Sequence, residues 1–302
     1  VTLVADAIEP VSYRDVTLTD YLGAGFAYFG FALLRLLPFS AASNAGGFLA
    51  RAVGPLLGKS NVARKNLKAA FPELSDIKIE ALVRQSWETL GRAAFEFPLM
   101  DRLLHEPDRA RIEIEGREHL DAALSSGKPV LFFGAHLGSW ELPPVAAAIL
   151  NFRVNSFYRA PNNPLLLNLF TTRNTPGELI PKGAAGAKRA FALLKKGENL
   201  GILVDQKLND GIAVPFFGRD AMTSTALAEF ALRFDAPMIP IRCTRLPGVR
   251  FKLTFFPALE VAKTEDRKGD VKTIMTAVNA MMESWIHENP GQWLWLHNRW
   301  PD

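Results

Sequence analysis

The stretch that decides the fold is Val130 to Glu141, VLFFGAHLGSWE, where an apolar run stops at Gly134 and gives way to a histidine, a glycine, a serine and a carboxylate. Val130 to Phe133 suit a strand covered on both faces, as in a mostly parallel sheet, and Pro129 suits a strand start. Periodicity alone leaves a buried helix segment open. Beyond the run, Gly134 and Gly138 bracket His136. Ser139 is the expected N-cap of a helix opening at Trp140, with Pro143 and Pro144 tolerated in its first turn. His136 then lies in a turn at the carboxyl end of a strand, which is where open α/β sheets bind ligands.

Glu141 follows His136 by five positions. In one continuous helix it would be rotated away from the ring, but with a turn between them the two can meet. A carboxylate at a helix start stays ionised in the field of the macrodipole. Beside an imidazole it orients the ring and stabilises its charged form, as carboxylates do in hydrolase triads. The competing reading is a satisfied loop histidine and a helix-start charge. The motif does not favour a metal, since there is no His-Glu-x-x-His and no cysteine partner nearby. Ser139 lacks the Gly-x-Ser-x-Gly setting of a nucleophile.

Working outward, the chain alternates strands and helices. Ser75 to Leu104 is helical by its apolar spacing, Ile112 to Glu115 alternates as a short strand ending at Gly116, and His119 reads as a surface residue of the next helix. Strands are expected at 152–158, 200–204, 237–243 and 251–256, the last two antiparallel across Pro247-Gly248. Helices are expected at 164–172, 184–196, 223–234 and 271–288. Asp205, like His136, follows a buried strand. The expected class is α/β, a mostly parallel sheet covered by helices on both faces.

Toward the start, Tyr21 to Leu34 carries no charge, and Ala41 to Leu57 carries only Arg51. Each is shorter than the roughly 18 to 20 residues of a spanning helix. Two such pieces in series suit a membrane-seated hairpin or interfacial helices, with a core-buried pair as the alternative. Lys59, Arg64, Lys65 and Lys68 follow at once, which suits an anionic cytoplasmic leaflet. Residues 1–20 are polar, without the pattern of a secretory signal, and suit a flexible arm. The expected organisation is a polar arm over 1–20, an apolar helical membrane-associating region over 21–58, and an α/β domain over 59–302.

With 48% hydrophobic residues in 302, there is material for a sizeable core. The net charge of +4 suits acidic partners or an anionic surface and is too weak to argue nucleic-acid binding. The single cysteine, Cys243, excludes an internal disulfide, and its apolar setting suits a buried thiol.

Taken with the wider sequence, His136 and Glu141 resemble the His-x-x-x-x-Asp/Glu motif of the lysophospholipid acyltransferase superfamily. Within it the chain is similar to the bacterial lipid A late acyltransferases. The resemblance is carried by Arg64-Lys65-Asn66-Leu67 with Phe71-Pro72-Glu73, Tyr158-Arg159 with Asn163-Pro164, and Val204-Asp205-Gln206 with Val214-Pro215-Phe216-Phe217-Gly218. It closes with Gln292-Trp293-Leu294-Trp295, His297 and Arg299. Ala160 between Arg159 and Pro161, and Ala135 before the histidine, depart from the common pattern and loosen the assignment to a subfamily.

What this resemblance implies is an O-acyltransferase without cofactor or acyl-enzyme. His136 would be the general base, Glu141 its orienting group, and Arg159, Arg173, Asp205 and Gln206 would bind substrate. Backbone amides near Gly138, or a nearby cation, would stabilise the oxyanion. The implied donor is acyl carrier protein thioester, with acyl-CoA as the alternative. The implied acceptor is a Kdo-bearing lipid A precursor at the cytoplasmic face of an inner membrane, with phosphatidylinositol mannoside or another lipid as the alternative. A non-catalytic lipid-binding protein on the same fold is the rival of another class. Lys188, Arg189, Lys195 and Lys196 on one amphipathic helix suit either an acidic carrier protein or a plain solvated face.

Overall fold

The computed structural model describes residues 16–173, 175–261 and 263–300, without the side chains of residues 170–173. Most of the expected polar arm therefore lies outside the described residues. In chain order the elements are α1 Leu18–Arg35, α2 Phe39–Val53, α3 Lys59–Ala70, α4 Asp76–Glu96, β1 Ile112–Glu115 and α5 Arg117–Leu124. Then come β2 Leu131–Gly134, α6 Leu142–Ile149, β3 Asn155–Tyr158, β4 Leu179–Pro181, α7 Ala184–Lys195 and β5 Leu200–Leu203. The chain continues through β6 Lys207–Phe216, β7 Arg219–Thr223, α8 Ala226–Phe234, β8 Met238–Leu246, β9 Arg250–Phe255 and α9 Arg267–Glu288.

Seven strands form one sheet in the order β1-β9-β8-β2-β5-β3-β4. Its neighbours are parallel except β8 and β9, which form the expected hairpin. β2 is central, and this explains its unbroken apolar run. Leu131 and Phe133 enter the core on one face with α3, α4, α7, α8 and α9. Val130 and Phe132 enter the other, with α2, α5 and α6. Alternate side chains of a strand point to opposite faces, so a strand covered twice has no position for a polar residue.

Local differences from the sequence reading have local causes. The long helix expected over Ser75 to Leu104 is α4 followed by 3-10 turns over Phe97–Leu104, with Pro98 at the start, where a proline removes a helical N–H. α6 opens at Leu142 and not at Trp140. Ser139 is fully buried, and its hydroxyl finds no partner among the described residues, so it does not cap the helix. The preceding residues are drawn into a bridge between Leu137 and Trp293, which delays the helix by about half a turn. The hairpin β6–β7 was not expected. Its tight turn, Phe217-Gly218, holds both residues at positive φ, 52° and 67°, the primed conformation that matches strand twist.

α1 and α2 follow one another across a short connection, and each is fastened to the rest of the chain, α2 along α4 and α1 on the 3-10 turns over Phe97–Leu104 and Pro164–Arg173. A Cβ on Gly46 of α2 would lie 2.3 Å from the Gly91 carbonyl of α4, so the two helices meet backbone to backbone. Arg35 pairs with Asp101 at 2.8 Å. Among the described residues no helix is long and apolar enough to cross a membrane.

Candidate active site

His136 is carried out of β2 by the turn 135–139, and Asp205 stands just beyond β5, its parallel neighbour. The topology thus sets two carboxyl-terminal strand ends side by side. The His136 ring Nδ1 lies 2.8 Å from Asp205 Oδ1, with the imidazole side chain 13% exposed and the carboxylate fully buried. Asp205 Oδ2 accepts the His136 backbone N–H at 2.8 Å and the Trp293 indole N–H at 2.7 Å. Burial pushes the Asp205 carboxyl up. The charge and hydrogen bonds of His136, with the field of His297, outweigh it and hold the carboxyl well below its ordinary range.

The opposite ring nitrogen, Nε2, lies 3.3 Å from Gln206 Nε2, and Lys182 Nζ donates to Gln206 Oε1 at 3.0 Å. An ammonium only donates, so the carbonyl of the amide faces Lys182 and its NH2 faces His136. His136 Nε2 is then an acceptor, and Nδ1 carries the proton given to Asp205. Lys182 reaches solvent, yet crowding by the cavity wall lowers its pKa, with Arg159 reinforcing and Asp205 opposing the shift.

The ring therefore has Asp205 on one nitrogen and Gln206 on the other. The carboxylate bonded to the ring is Asp205, whereas the sequence reading expected Glu141 there, because the turn places the ring over the end of β5. Glu141 lies immediately before α6 and lines the same cavity as His136. Gly138 also differs from expectation. Its φ of 61° lets the turn close, but its N–H donates to the Gln292 carbonyl at 2.9 Å and is unavailable to an oxyanion. The amides of His136 and Leu137 are likewise engaged, by Asp205 and by the Ala135 carbonyl. Arg159 is exposed on the cavity rim, and the side chain of Arg173 lies outside the described residues.

The cavity, about 340 Å³, runs from His136 between the sheet and the start of α6. Its polar end holds His136, Glu141, Arg159, Lys182 and Gln206. Its inner wall is Phe132, Gly201, Ile202, Leu203, Ile241 and Cys243. Burial pushes the Cys243 thiol up to about 12, which leaves it an apolar wall group and not a nucleophile. A wider cleft of about 950 Å³ opens between α2, α4 and the β8–β9 turn. There Glu88, Arg92, Arg245 and Glu288 are engaged in ion pairs, and no candidate base is present, so the smaller cavity is the better site.

Sequence reasoning missed two members of this site. Trp293 sits 88 residues of chain away from the carboxylate it holds, and nothing local announces the contact. Lys182 follows β4, a three-residue strand too short to read from pattern, although the position after a parallel strand was the available signal.

A buried carboxylate bonded to one imidazole nitrogen, with the other at the polar end of a half-apolar cavity, is an arrangement able to move a proton. The comparisons with known proteins make this class particular. Residues 12–302 match the family described as bacterial lipid A biosynthesis acyltransferase, so the chain belongs to that family and is an acyltransferase. It is 24% identical over 280 residues to the lipid A biosynthesis palmitoleoyltransferase of Escherichia coli (strain K12), covering 90% of each chain. To the lipid A biosynthesis lauroyltransferase of the same organism it is 28% identical over 251 residues, 80% of this chain and 78% of the relative. To the phosphatidylinositol mannoside acyltransferase of Mycobacterium tuberculosis (strain CDC 1551 / Oshkosh) it is 26% identical over 308 residues, 97% of this chain and 92% of the relative.

Proposed function

We propose that the protein transfers a fatty acyl chain from a thioester donor to a hydroxyl of a membrane glycolipid, with His136 as general base. The observation that carries this reading is the His136–Asp205 pair, 2.8 Å apart, at the polar end of a cavity whose inner wall is apolar. His136 Nε2 takes the proton of the acceptor hydroxyl as its oxygen attacks the thioester carbonyl carbon. Asp205 holds Nδ1–H and stabilises the imidazolium that forms. The oxyanion is met by a rim cation, Arg159 or Lys182, since the turn amides are engaged. The intermediate collapses with loss of the C–S bond, and the sulfur takes the proton from His136. Glu141 serves on the acceptor side of the cavity. Arg173 keeps the substrate-binding role that the resemblance gives it.

The first substrates to test are acyl carrier protein thioesters and a Kdo-bearing lipid A precursor at the cytoplasmic face of an inner membrane, as the resemblance implies; the names of two relatives support lipid A and a fatty acyl group. A second reading takes acyl-CoA as donor and a phosphatidylinositol mannoside as acceptor, the acceptor being the one named for a relative matched over 97% of this chain. Mass spectrometry of membrane lipids with and without the protein should show one added acyl chain, and the fragment ions name the acceptor. Parallel assays with carrier-borne and CoA-borne donors decide the donor. If purified protein releases thiol from neither donor, the reading fails and a lipid-binding role replaces it.

A further inference from the structure

We propose that Gln206 is a positioning residue that caps the basic nitrogen of His136. Its amide holds the ring's lone pair away from water in the resting protein, and the acceptor hydroxyl displaces it. The inference rests on the acyl-transfer reading above. It explains how a site with a general base and a thioester favours an alcohol over water.

The chemistry sets the problem. In hydrolysis, a water oxygen bonds to the carbonyl carbon, a water proton passes to His136 Nε2, the C–S bond breaks, and the sulfur takes that proton, leaving a fatty acid and a thiol. Transfer differs only in the oxygen that forms the new bond, which yields an ester and the same thiol. A free imidazole serves both reactions. In this structure the lone pair is not free, because Gln206 Nε2 stands 3.3 Å from it.

The cap is held in one orientation. Lys182 Nζ fixes the amide carbonyl at 3.0 Å, so the NH2 edge and not the carbonyl edge faces the ring. Gln206 also follows Asp205 directly, so one short segment grips both nitrogens, with a carboxylate on Nδ1 and a neutral amide on Nε2. Neutrality matters. A carboxylate at Nε2 would favour the protonated ring and remove the base, whereas an amide donor favours the unprotonated nitrogen. The contact is a single neutral hydrogen bond. An acceptor anchored elsewhere in the cavity can displace it, and a lone water has no such anchorage.

The test uses the full chain in detergent micelles and two readouts. The first is carbethoxylation of His136 by diethyl pyrocarbonate, followed by peptide mass spectrometry, with His119 as an internal reference. The second is thiol release from lauroyl-CoA and from lauroyl-acyl carrier protein without acceptor. Gln206→Leu should raise both by about 3- to 10-fold, the equilibrium equivalent of one net hydrogen bond. Lys182→Met should raise His136 modification in the same direction by less, at matched thermal stability. Unchanged or slower His136 modification in Gln206→Leu overturns the cap. So does a raised KM for acceptor with an unchanged ratio of hydrolysis to transfer, which would make Gln206 a plain substrate contact. If wild-type protein releases no thiol from either donor even when a glycolipid acceptor is added, the acyl-transfer reading fails, while the His136 readout still decides the cap.

Discussion

At the scale of single residues, the assignment of the carboxylate is the sharpest claim. Two acids compete for His136: Glu141, nearer in sequence, and Asp205, nearer in space at 2.8 Å. If Asp205 sets the tautomer, Asp205→Asn should lower kcat by about 100- to 10,000-fold, since its amide can donate to Nδ1 and leave Nε2 protonated. His136→Ala should cost about as much, and the double variant little more. Glu141→Gln should also lower turnover, but without changing the ring. The check is ¹⁵N NMR of the His136 imidazole in each folded variant. A tautomer change in Glu141→Gln and none in Asp205→Asn would restore the orienting role to Glu141. Around this pair the second layer is equally polar. The His297 ring is pushed down by burial, and the buried Arg299 is lowered to about 10, with Asp205 acting against the shift in both. Arg299 lies 4.7 Å from the Phe216 ring centroid and donates to the Met222 carbonyl and the Thr223 hydroxyl, which locks the chain end beneath the site.

At the scale of elements, the turn that carries His136 is held from outside. Arg245 of β8 donates from Nε to the Gly138 carbonyl at 3.3 Å and grips Glu96 of α4 through two bonds of 2.7 Å. Glu96 is fully buried and also accepts from Ser43 of α2 at 2.6 Å. Helix α2, helix α4, strand β8 and the turn that carries His136 thus meet at one ion pair. Removing one member strands a charge in the core, so Arg245→Met should destabilise by about 3 to 5 kcal/mol in chemical unfolding. The double variant Arg245→Met with Glu96→Leu should recover much of that stability while leaving transfer impaired, because the Gly138 carbonyl loses its clamp. Full recovery of transfer would show that the clamp does not position the turn. On α7 the expected basic face is thinner than the sequence suggests. Arg189 is turned inward to Glu178 at 2.6 Å, while Lys188, Lys195 and Lys196 stay exposed.

At the scale of the molecule, helix α1 presents an apolar surface that nothing in the described chain covers. Leu18, Leu22, Phe26, Phe29, Leu33 and Leu36 recur at intervals of three and four and so share one face, with Phe26 and Leu36 81% and 80% exposed. Leu56, at 83%, extends the surface. Seating six such side chains in lipid would return roughly 9 to 18 kcal/mol before ordering costs. Helix α1 is tied to the segment that follows Arg159, since Tyr28 donates to the Leu165 carbonyl and Asn163 to that of Asp20. The basic contribution is smaller than expected, because Arg64 and Lys68 pair with Glu80 and Asp76. Wild-type protein should sediment with anionic vesicles, and Phe26→Glu, Phe29→Glu and Leu56→Glu together should release most of it with circular dichroism unchanged. Equal sedimentation of the triple variant would refute this seat.

The strand, the turn and the position of His136 were legible in the sequence, because an apolar run ending in glycine is dictated by burial on both faces of β2, a local matter. The alternation of strands and helices, the β8–β9 hairpin and the end of β5 at Asp205 followed from the same patterning. The pairing within the site was not legible. Asp205, Trp293, Lys182 and Gln206 reach His136 only through the sheet order and the return of the C-terminal segment across Leu137. Asn66 shows the same logic, tying α3 to the carbonyls of Trp295 and His297 across more than two hundred residues. Periodicity reports which face of an element is buried. Which carboxylate meets a given imidazole depends on how parallel strands are ordered, and that order is set by packing among elements far apart in the chain.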